Sequence, residues 1–312
     1  MQFLFFLESI RNPILDAIMS AITTLGDEMV FLAIAFTLFW CIDKNFGYYI
    51  VSVGLLSTVA NQFLKLLCRV PRPWVLDPKL TTVGNSIEGA GGFSFPSGHT
   101  QNITTTFGGI ALYVRHKWLT VVCAAIIFLV AFSRMYLGVH TPYDVAAGFL
   151  IAIVFALVQY AVMKKATKKP AYMYILLGVI AFIAVLYLIY TECLPADYAS
   201  EIEGAAHNLA SGKKNAYKLL AAILAIIVCY FLDTKYINFE TKASLPAQVL
   251  KVAVGLLLVL GTKELTKIVL VTIAGADNYF IVFARYFLTV IVGCAIYPLT
   301  FPLFAKIGKK KA

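Results

Sequence analysis

The sequence predicts an all-α polytopic membrane protein, a helical bundle with about nine transmembrane helices. The chain has 312 residues, of which 61% are hydrophobic and 13% charged, with a mean hydropathy of +0.84. A soluble domain carries nearly twice that charged fraction. A net charge of +10 would suggest nucleic-acid binding in a soluble protein, but cytoplasmic loops of membrane proteins are themselves rich in Lys and Arg. No nucleic-acid partner is therefore expected.

The amino-terminal segment, residues 1–27, is predicted to lie at the membrane interface. It is apolar, but Arg11 and Pro13 interrupt it, so two short interfacial helices fit better than one span. Apolar runs long enough to cross a bilayer follow, and they predict spans at 28–42, 47–67, 98–113, 118–137, 142–163, 172–190, 216–232, 246–271 and 279–305.

These spans predict a core at 28–190 that contains six helices, and a carboxy-terminal part at 216–312 that adds three. Residues 191–215 are too polar for the hydrocarbon region and are predicted to form an outer loop. With the amino terminus outside, the inner segments hold 13 Lys and Arg residues and the outer segments hold seven. This bias follows the positive-inside rule and supports that orientation.

Three short segments carry ionisable residues at the ends of predicted spans. The segment 65–73 holds Lys65 and Arg72, the segment 96–99 reads Pro-Ser-Gly-His, and the segment 133–144 holds Arg134, His140 and Asp144. Antiparallel spans place all of these ends on the same, outer side of the membrane. Because ionisable residues in a membrane are costly, a functional site is the default interpretation.

The residue types suit phosphoryl transfer without a metal. Ser97 and Thr141 are predicted helix N-caps, and helix N-termini bind anions. Asp144 lies one helical turn after His140, so its carboxylate can orient the imidazole and leave the other nitrogen free to attack phosphorus. His99 can protonate the leaving oxygen. Taken singly, these residues would read as caps, turns or snorkelling cations.

Together the segments resemble the three-part signature of the type 2 phosphatidic acid phosphatase superfamily. The resemblance rests on Lys65-x6-Arg72-Pro73, Pro96-Ser97-Gly98-His99 and Ser133-Arg134-x5-His140-x3-Asp144, and it covers residues 65–144. It implies a metal-independent phosphatase with a phosphohistidine intermediate, and a phosphatase-like six-helix core. It further implies catalytic roles for His140, His99 and Asp144, and phosphate contacts from Lys65, Arg72, Ser97, Gly98 and Arg134.

The leading hypothesis is hydrolysis of a phosphorylated lipid at the outer membrane face, because a site at the membrane surface suits a substrate whose tail stays in lipid. A soluble phosphate ester such as a sugar phosphate is the alternative substrate, and a lipid or anion transporter is a third reading. No cofactor or metal is expected, since the acidic residues form no paired cluster. A bacterial plasma membrane is favoured over the endoplasmic reticulum, although the Lys309–Lys311 ending resembles a dilysine retrieval signal. The oligomeric state stays open.

Two further groups have no place in the signature. Lys263, Lys267 and Arg285 lie in the additional helices beside Glu264. They are read either as ion pairs between helices or as contacts to a lipid headgroup. Asp27, between Gly26 and Glu28, is read first as a helix-capping residue and second as a substrate contact.

Overall fold

The computed structural model describes residues 1–274 and 278–307, and its regular elements in these two ranges are all helical. The all-α prediction is confirmed. The Lys309–Lys311 ending lies outside the described residues. The main helices are α1 (Gln2–Ser9), α2 (Pro13–Thr23), α3 (Glu28–Thr37), α4 (Lys44–Cys68), α5 (Pro73–Leu76), α6 (Gly98–Val114), α7 (Lys117–Tyr136), α8 (Pro142–Ala166), α9 (Ala171–Cys193), α10 (Ala205–Leu232), α11 (Leu245–Ala274), α12 (Tyr279–Ile291) and α13 (Phe301–Phe304).

Seven helical segments of the described chain are long and apolar enough to cross a membrane. The predicted number of nine is therefore approximate. The predicted span at 28–42 is short. The helical segment Glu28–Ile42 meets the segment Pro13–Gly26 at a bend of 51°, and the two segments together give an eighth candidate. The predicted span at 98–113 corresponds to α6, which has 17 residues and reaches only about 26 Å.

The described chain divides into two compact units that interleave along the sequence. The first unit comprises Met1–Phe31, Ser52–Ala161 and Ile189–Lys213, and it contains every residue of the three signature segments. The second unit comprises Leu32–Val51, Val162–Leu188 and Lys214–Ala312.

Within the first unit, two helix N-termini are built as their sequences predict. Ser97 is the N-cap of α6, where its hydroxyl accepts from the amide of Thr100 at 3.4 Å. At the start of α8 the amide of Asp144 donates to the Thr141 hydroxyl at 3.3 Å, and the Asp144 carboxylate accepts from the Thr141 amide at 2.7 Å. This reciprocal pair is a capping box, and it locks the Asp144 side chain at the helix entrance.

The loop between α7 and α8 is held in position by contacts with the amino-terminal segment and with Thr81. Arg11 donates from Nε to the Tyr136 carbonyl at 3.0 Å and from Nη1 to the Thr81 carbonyl at 2.8 Å. Gly138 has a φ of +78°, and a Cβ there would lie 2.8 Å from the Thr81 carbonyl oxygen. Only glycine fits this close approach in this backbone conformation. The loop that carries His140 is therefore held by Arg11 and packed closely against Thr81.

Within the second unit, aromatic packing closes the core. The Trp40 indole donates to the Gly293 carbonyl at 2.9 Å, and Gly255 admits the same indole ring where a Cβ would clash at 2.5 Å. Lys251 is buried, donates to the Thr241 carbonyl and lies 4.4 Å from the ring centroid of Phe301. The buried lysine thus has both an acceptor and a cation–π partner.

Candidate active site

The first unit brings the charged residues of the three signature segments into one buried cluster. Lys65, Arg72, Arg134, His140 and Asp144 are each between 1% and 6% exposed. They come from α4, the segment before α5, the end of α7, the following loop and the start of α8. Residues up to 79 positions apart in sequence are therefore gathered at one place.

The two nitrogens of the His140 imidazole differ in their nearest partners. Nδ1 lies 3.5 Å from Oδ2 of Asp144 and 3.4 Å from Oγ of Ser94, and Ser94 donates to the same carboxylate oxygen at 2.7 Å. Nη1 of Arg72 lies 2.9 Å from Nε2 and 3.5 Å from Nδ1. An arginine can only donate, so Nε2, the nearer of the two nitrogens, must accept. This assigns the proton to Nδ1 and leaves the Nε2 lone pair facing the cations.

The segment before α6 forms a cradle for the two cations of the first motif. Arg72 donates to the carbonyls of Gly91 and Gly92 at 2.8 and 3.0 Å and to that of Val139 at 2.9 Å. Lys65 donates to the carbonyl of Phe93. Gly92 has a φ of +75°, a conformation that favours glycine. These carbonyls fix both cations in position.

Arg134 is held less completely. Its Nη1 donates to the Thr23 hydroxyl at 2.7 Å, whereas Nε and Nη2 are buried and have no hydrogen-bond acceptor in the part of the chain that the structure describes. A buried charged donor without an acceptor costs several kcal/mol. Two such donors on one guanidinium, in the buried cluster that also holds His140, match the fork that binds two oxygens of a phosphate.

The charges of the buried cluster do not balance. Three basic side chains, Lys65, Arg72 and Arg134, are buried there with one carboxylate, that of Asp144. Burial, and then the three neighbouring cations, lower the pKa of His140 well below its usual value. The imidazole is therefore neutral at neutral pH, and the excess charge of the cluster favours a dianion such as a phosphate monoester.

Ser97 and Gly98 lie at the start of α6, and their contacts in the structure are to other residues of the protein. The Ser97 amide donates to the Asp144 carbonyl at 2.9 Å, and its hydroxyl caps α6. A Cβ on Gly98 would lie 3.3 Å from Oδ1 of Asn61, whose Nδ2 donates to the Pro96 carbonyl and to Gln101. Their contacts to phosphate remain a prediction from the signature.

His99, the other signature histidine, lies at the more open side of the cluster. Its side chain is 18% exposed, and its Nε2 lies 2.9 Å from Oδ1 of Asp27. From its sequence position Asp27 was expected to be a helix cap or a substrate contact, and not a partner of His99. The two residues are 72 positions apart, and neither spacing nor periodicity links them.

Ser94 and Thr23 are the other contacts that sequence reasoning missed. Ser94 precedes the second signature segment and bonds Asp144, and Thr23 ends α2 and accepts from Arg134. Both are common small polar residues, and no local pattern distinguishes them. The Gly91-Gly92 pair was the available signal, since adjacent glycines indicate unusual backbone next to a ligand or a side chain.

The predicted headgroup residues Lys263, Lys267 and Arg285 all belong to the second unit. Arg285 donates from Nε to the Lys263 carbonyl at 2.8 Å and from Nη2 to Glu264 at 3.0 Å. This is the contact that the ion-pair interpretation expects for Arg285. A role in headgroup binding remains a prediction.

An apolar groove of about 610 Å³ runs between α6, α7 and α8 of the first unit. One end is lined by Met135 and Pro142, which flank the loop of His140, and the far end by Leu112 and Leu157. Pro142 and Leu157 are separated by about 22 Å along α8, which exceeds the roughly 15 Å depth of one leaflet's hydrocarbon. The groove therefore has the length and the chemistry to hold a hydrocarbon chain.

Comparison with known proteins gives two family matches. The model of the PAP2 superfamily matches residues 45–168, and that of the PAP2 superfamily phosphatase, transmembrane extension, matches residues 217–310. The second match covers most of the carboxy-terminal helices beyond the signature.

Three curated relatives are phosphatases. Lipid A 4'-phosphatase of Bacteroides thetaiotaomicron is 29% identical over 183 residues, covering 54% of this chain and 78% of the relative. Sphingosine-1-phosphate phosphatase 1 of Rattus norvegicus is 27% identical, covering 81% of this chain and 60% of the relative. Undecaprenyl-diphosphatase of Sulfolobus acidocaldarius is 29% identical, covering 44% of this chain and 65% of the relative.

Proposed function

This chain belongs to the PAP2 superfamily, and we propose that it is an integral membrane phosphatase that hydrolyses a lipid phosphate or diphosphate through a phosphohistidine intermediate. The observation that carries the proposal is the buried cluster around His140. Three cations face one carboxylate there, and the Nε2 lone pair of the histidine points toward them. A phosphate group satisfies both the charge excess and the unpaired donors of Arg134.

The geometry supports a two-step displacement. Nη1 of Arg72 leaves Nε2 of His140 for a phosphoryl oxygen, which frees the lone pair of that nitrogen. Nε2 then attacks phosphorus, the bond from phosphorus to the lipid oxygen breaks, and His99 donates a proton to that oxygen. Water then attacks the phosphohistidine, His99 accepts a proton from the water, and inorganic phosphate leaves. Lys65, Arg72 and Arg134 neutralise charge on the phosphoryl oxygens, a task that metal ions perform in many phosphatases.

Asp144 and Ser94 orient the nucleophile in this scheme. The Asp144 carboxylate faces Nδ1 of His140 and is itself held by the Thr141 amide and the Ser94 hydroxyl. A carboxylate in this position selects the tautomer and stabilises the positive charge that develops on the ring.

Two observations favour a lipid over a soluble phosphate ester. The apolar groove begins beside the His140 loop and suits a hydrocarbon tail. The three relatives named above act, by their names, on lipid A, a sphingoid base phosphate and a polyprenyl diphosphate. Their headgroups differ, so the substrate of this chain is proposed by class and not by headgroup.

We further propose that the site faces away from the cytoplasm, in a bacterial plasma membrane. The support is the bias of Lys and Arg, 13 against seven, toward the predicted inner segments. A cysteine placed at Asn85 should then react with an impermeant thiol reagent in intact cells, and one placed at Thr167 should not. The reverse labelling would place the site inside.

Release of inorganic phosphate from the detergent-solubilised protein tests the activity. A panel of undecaprenyl diphosphate, phosphatidate, sphingosine 1-phosphate and glucose 6-phosphate should show turnover of at least one lipid in excess EDTA, with glucose 6-phosphate much slower. Turnover of glucose 6-phosphate alone would establish the soluble-ester alternative, and loss of activity that magnesium restores would contradict the metal-independent scheme.

The groove gives a sharper test of the lipid assignment. Gly108 lines it, and a Cβ there meets no atom within 4 Å. Gly108→Leu should therefore fill the groove without disturbing α6 and raise KM for a long-chain lipid phosphate about tenfold, leaving 4-nitrophenyl phosphate unaffected. Gly178→Leu in α9, also in open space, is the matched control. An equal rise in KM for both substrates would contradict binding of the lipid tail in the groove.

A further inference from the structure

The turn between α2 and α3 lies against the signature histidine of α6. Besides the bond between Asp27 and His99, Asn102 donates to the Gly26 carbonyl at 2.9 Å, one helical turn beyond His99. A Cβ on Gly26 would lie 3.0 Å from Cδ2 of His99. Three separate contacts thus hold the Asp27 carboxylate at the edge of the imidazole.

The same turn also touches the phosphate-binding side of the cluster, through the bond from Arg134 to Thr23. Thr23 and Asp27 both precede residues 45–168, the range matched by the PAP2 model. The amino-terminal turn therefore adds to the cluster two polar groups that the family signature does not contain.

From these contacts we propose that Asp27 is a positioning residue for the general acid, holding His99 by Nε2 and stabilising its imidazolium form. The inference rests on the proposed phosphatase function. It assigns a second histidine–carboxylate pair to the site, in which Asp27 serves His99 as Asp144 serves His140.

The electrostatics of the site create the need for such a partner. Burial of the ring, and then the nearby cations Arg134 and Arg72, oppose a positive charge on His99. A neutral His99 whose Nε2–H is bonded to Asp27 has no proton on Nδ1 to give. Only the imidazolium carries a proton on the free nitrogen, and a carboxylate 2.9 Å from Nε2 stabilises that form.

When the phosphoester bond breaks, the proton leaves Nδ1 of His99 for the lipid oxygen, and the ring is left neutral with Nε2–H still bonded to Asp27. In the second step the proton of the attacking water returns to Nδ1 as the bond from His140 to phosphorus breaks. Asp27 exchanges no proton and touches no reacting atom in this scheme. Its effect must therefore depend on how much the leaving oxygen needs protonation.

Leaving-group dependence is the test. Asp27→Asn should lower kcat/KM for dodecyl phosphate, whose alkoxide leaves poorly, about 30- to 100-fold. It should lower kcat/KM for 4-nitrophenyl phosphate, whose phenolate leaves readily without a proton, less than threefold. Glu28→Gln, which removes the same charge one residue later, is the control and should change neither substrate appreciably. Asp27→Glu should recover part of the dodecyl phosphate activity.

Combination with His99→Ala separates positioning from a general effect on the fold. In that background Asp27→Asn should lower kcat/KM for dodecyl phosphate less than twofold, because Asp27 affects the reaction only through His99. Equal losses on the two substrates, or a full additional loss in the His99→Ala background, would overturn the proposal. If the Asn variant is made in poor yield, Asp27→Ser gives the same comparison. Inactivity of the unsubstituted protein on both phosphates would instead refute the proposed function.

Discussion

The two histidines of the site are paired with carboxylates in opposite ways. His140 and Asp144 are four residues apart, both about 2% exposed, and share a network with Ser94 and the start of α8. His99 and Asp27 are 72 residues apart, and the carboxylate side chain is 47% exposed. The first pair is built into one helix entrance, whereas the second forms only when the amino-terminal turn packs on α6.

The difference suits the two proposed tasks. A nucleophile must be neutral and held rigidly, and burial among cations achieves both at His140. An acid that gives and then takes a proton must reach both charge states, and a partly exposed carboxylate permits that at His99. Substitutions in the two pairs should therefore differ in their effects, with Asp27→Asn costing less than Asp144→Asn and more than Ser94→Ala.

Loss of the nucleophile should have the largest effect. His140→Ala removes the phosphoryl acceptor, so kcat should fall at least about 100,000-fold in a phosphate-release assay. A ³²P label from a labelled substrate should also no longer be retained by the denatured protein. Activity within tenfold of the unsubstituted protein would exclude His140 as the nucleophile.

Loss of the buried carboxylate should be severe but smaller. Asp144→Asn leaves the capping geometry largely intact and misorients the imidazole, so kcat should fall about 1,000- to 10,000-fold, in line with other catalytic triads. Phosphohistidine formed slowly in this variant would confirm that the nucleophile survives. A loss equal to that of His140→Ala with no trapped label would point to a more direct role for Asp144.

Loss of Ser94 should cost about tenfold in kcat, since one hydrogen bond to the carboxylate is worth roughly 1.5 kcal/mol. Ser94→Ala tests the side of the network that sequence analysis missed. Thr100→Val is a matched control, because it removes another buried hydroxyl next to the N-cap of α6. Equal effects from the two substitutions would indicate general packing rather than orientation of His140.

The protonation state of His140 should differ from that of a solvent-exposed histidine. Burial and the nearby cations lower the pKa of His140. The ring should therefore stay neutral, with its proton on Nδ1, even at pH values below the usual histidine pKa of about 6.5. The chain has four histidines, so ¹⁵N spectra can be assigned by single substitutions. Arg72→Gln should move the His140 titration to higher pH, and an unshifted titration would contradict the assignment of causes.

The second unit should have the smallest effect on chemistry. If Lys263 and Lys267 contact a second phosphate, Lys263→Gln/Lys267→Gln should raise KM for undecaprenyl diphosphate more than for the monophosphate, with kcat and protein yield unchanged. Lys242→Gln/Lys306→Gln, at two exposed lysines of the same unit, is the matched loss of two charges. An equal effect on both lipids, or poor folding, would favour the ion-pair interpretation, which already accounts for Arg285 and Glu264.

Local sequence was sufficient for the helical membrane fold and for the residues of the buried cluster around His140. Apolar runs predict spans because every backbone polar group in lipid must be satisfied within the helix. Cations and histidines at the ends of those runs indicate a site because their burial is costly. The His140–Asp144 pair follows from the short separation of the two residues across the start of α8, and both N-caps follow from residue type, since Ser and Thr hydroxyls favour that position.

Tertiary packing alone decided the rest. The exact number of spans depended on where α3 bends from α2, and the groove depended on how α6, α7 and α8 leave space between them. Ser94, Thr23 and Asp27 meet their partners across 50, 111 and 72 residues. No periodicity relates positions so far apart, because their proximity is set by the packing of whole helices and not by the geometry of any one.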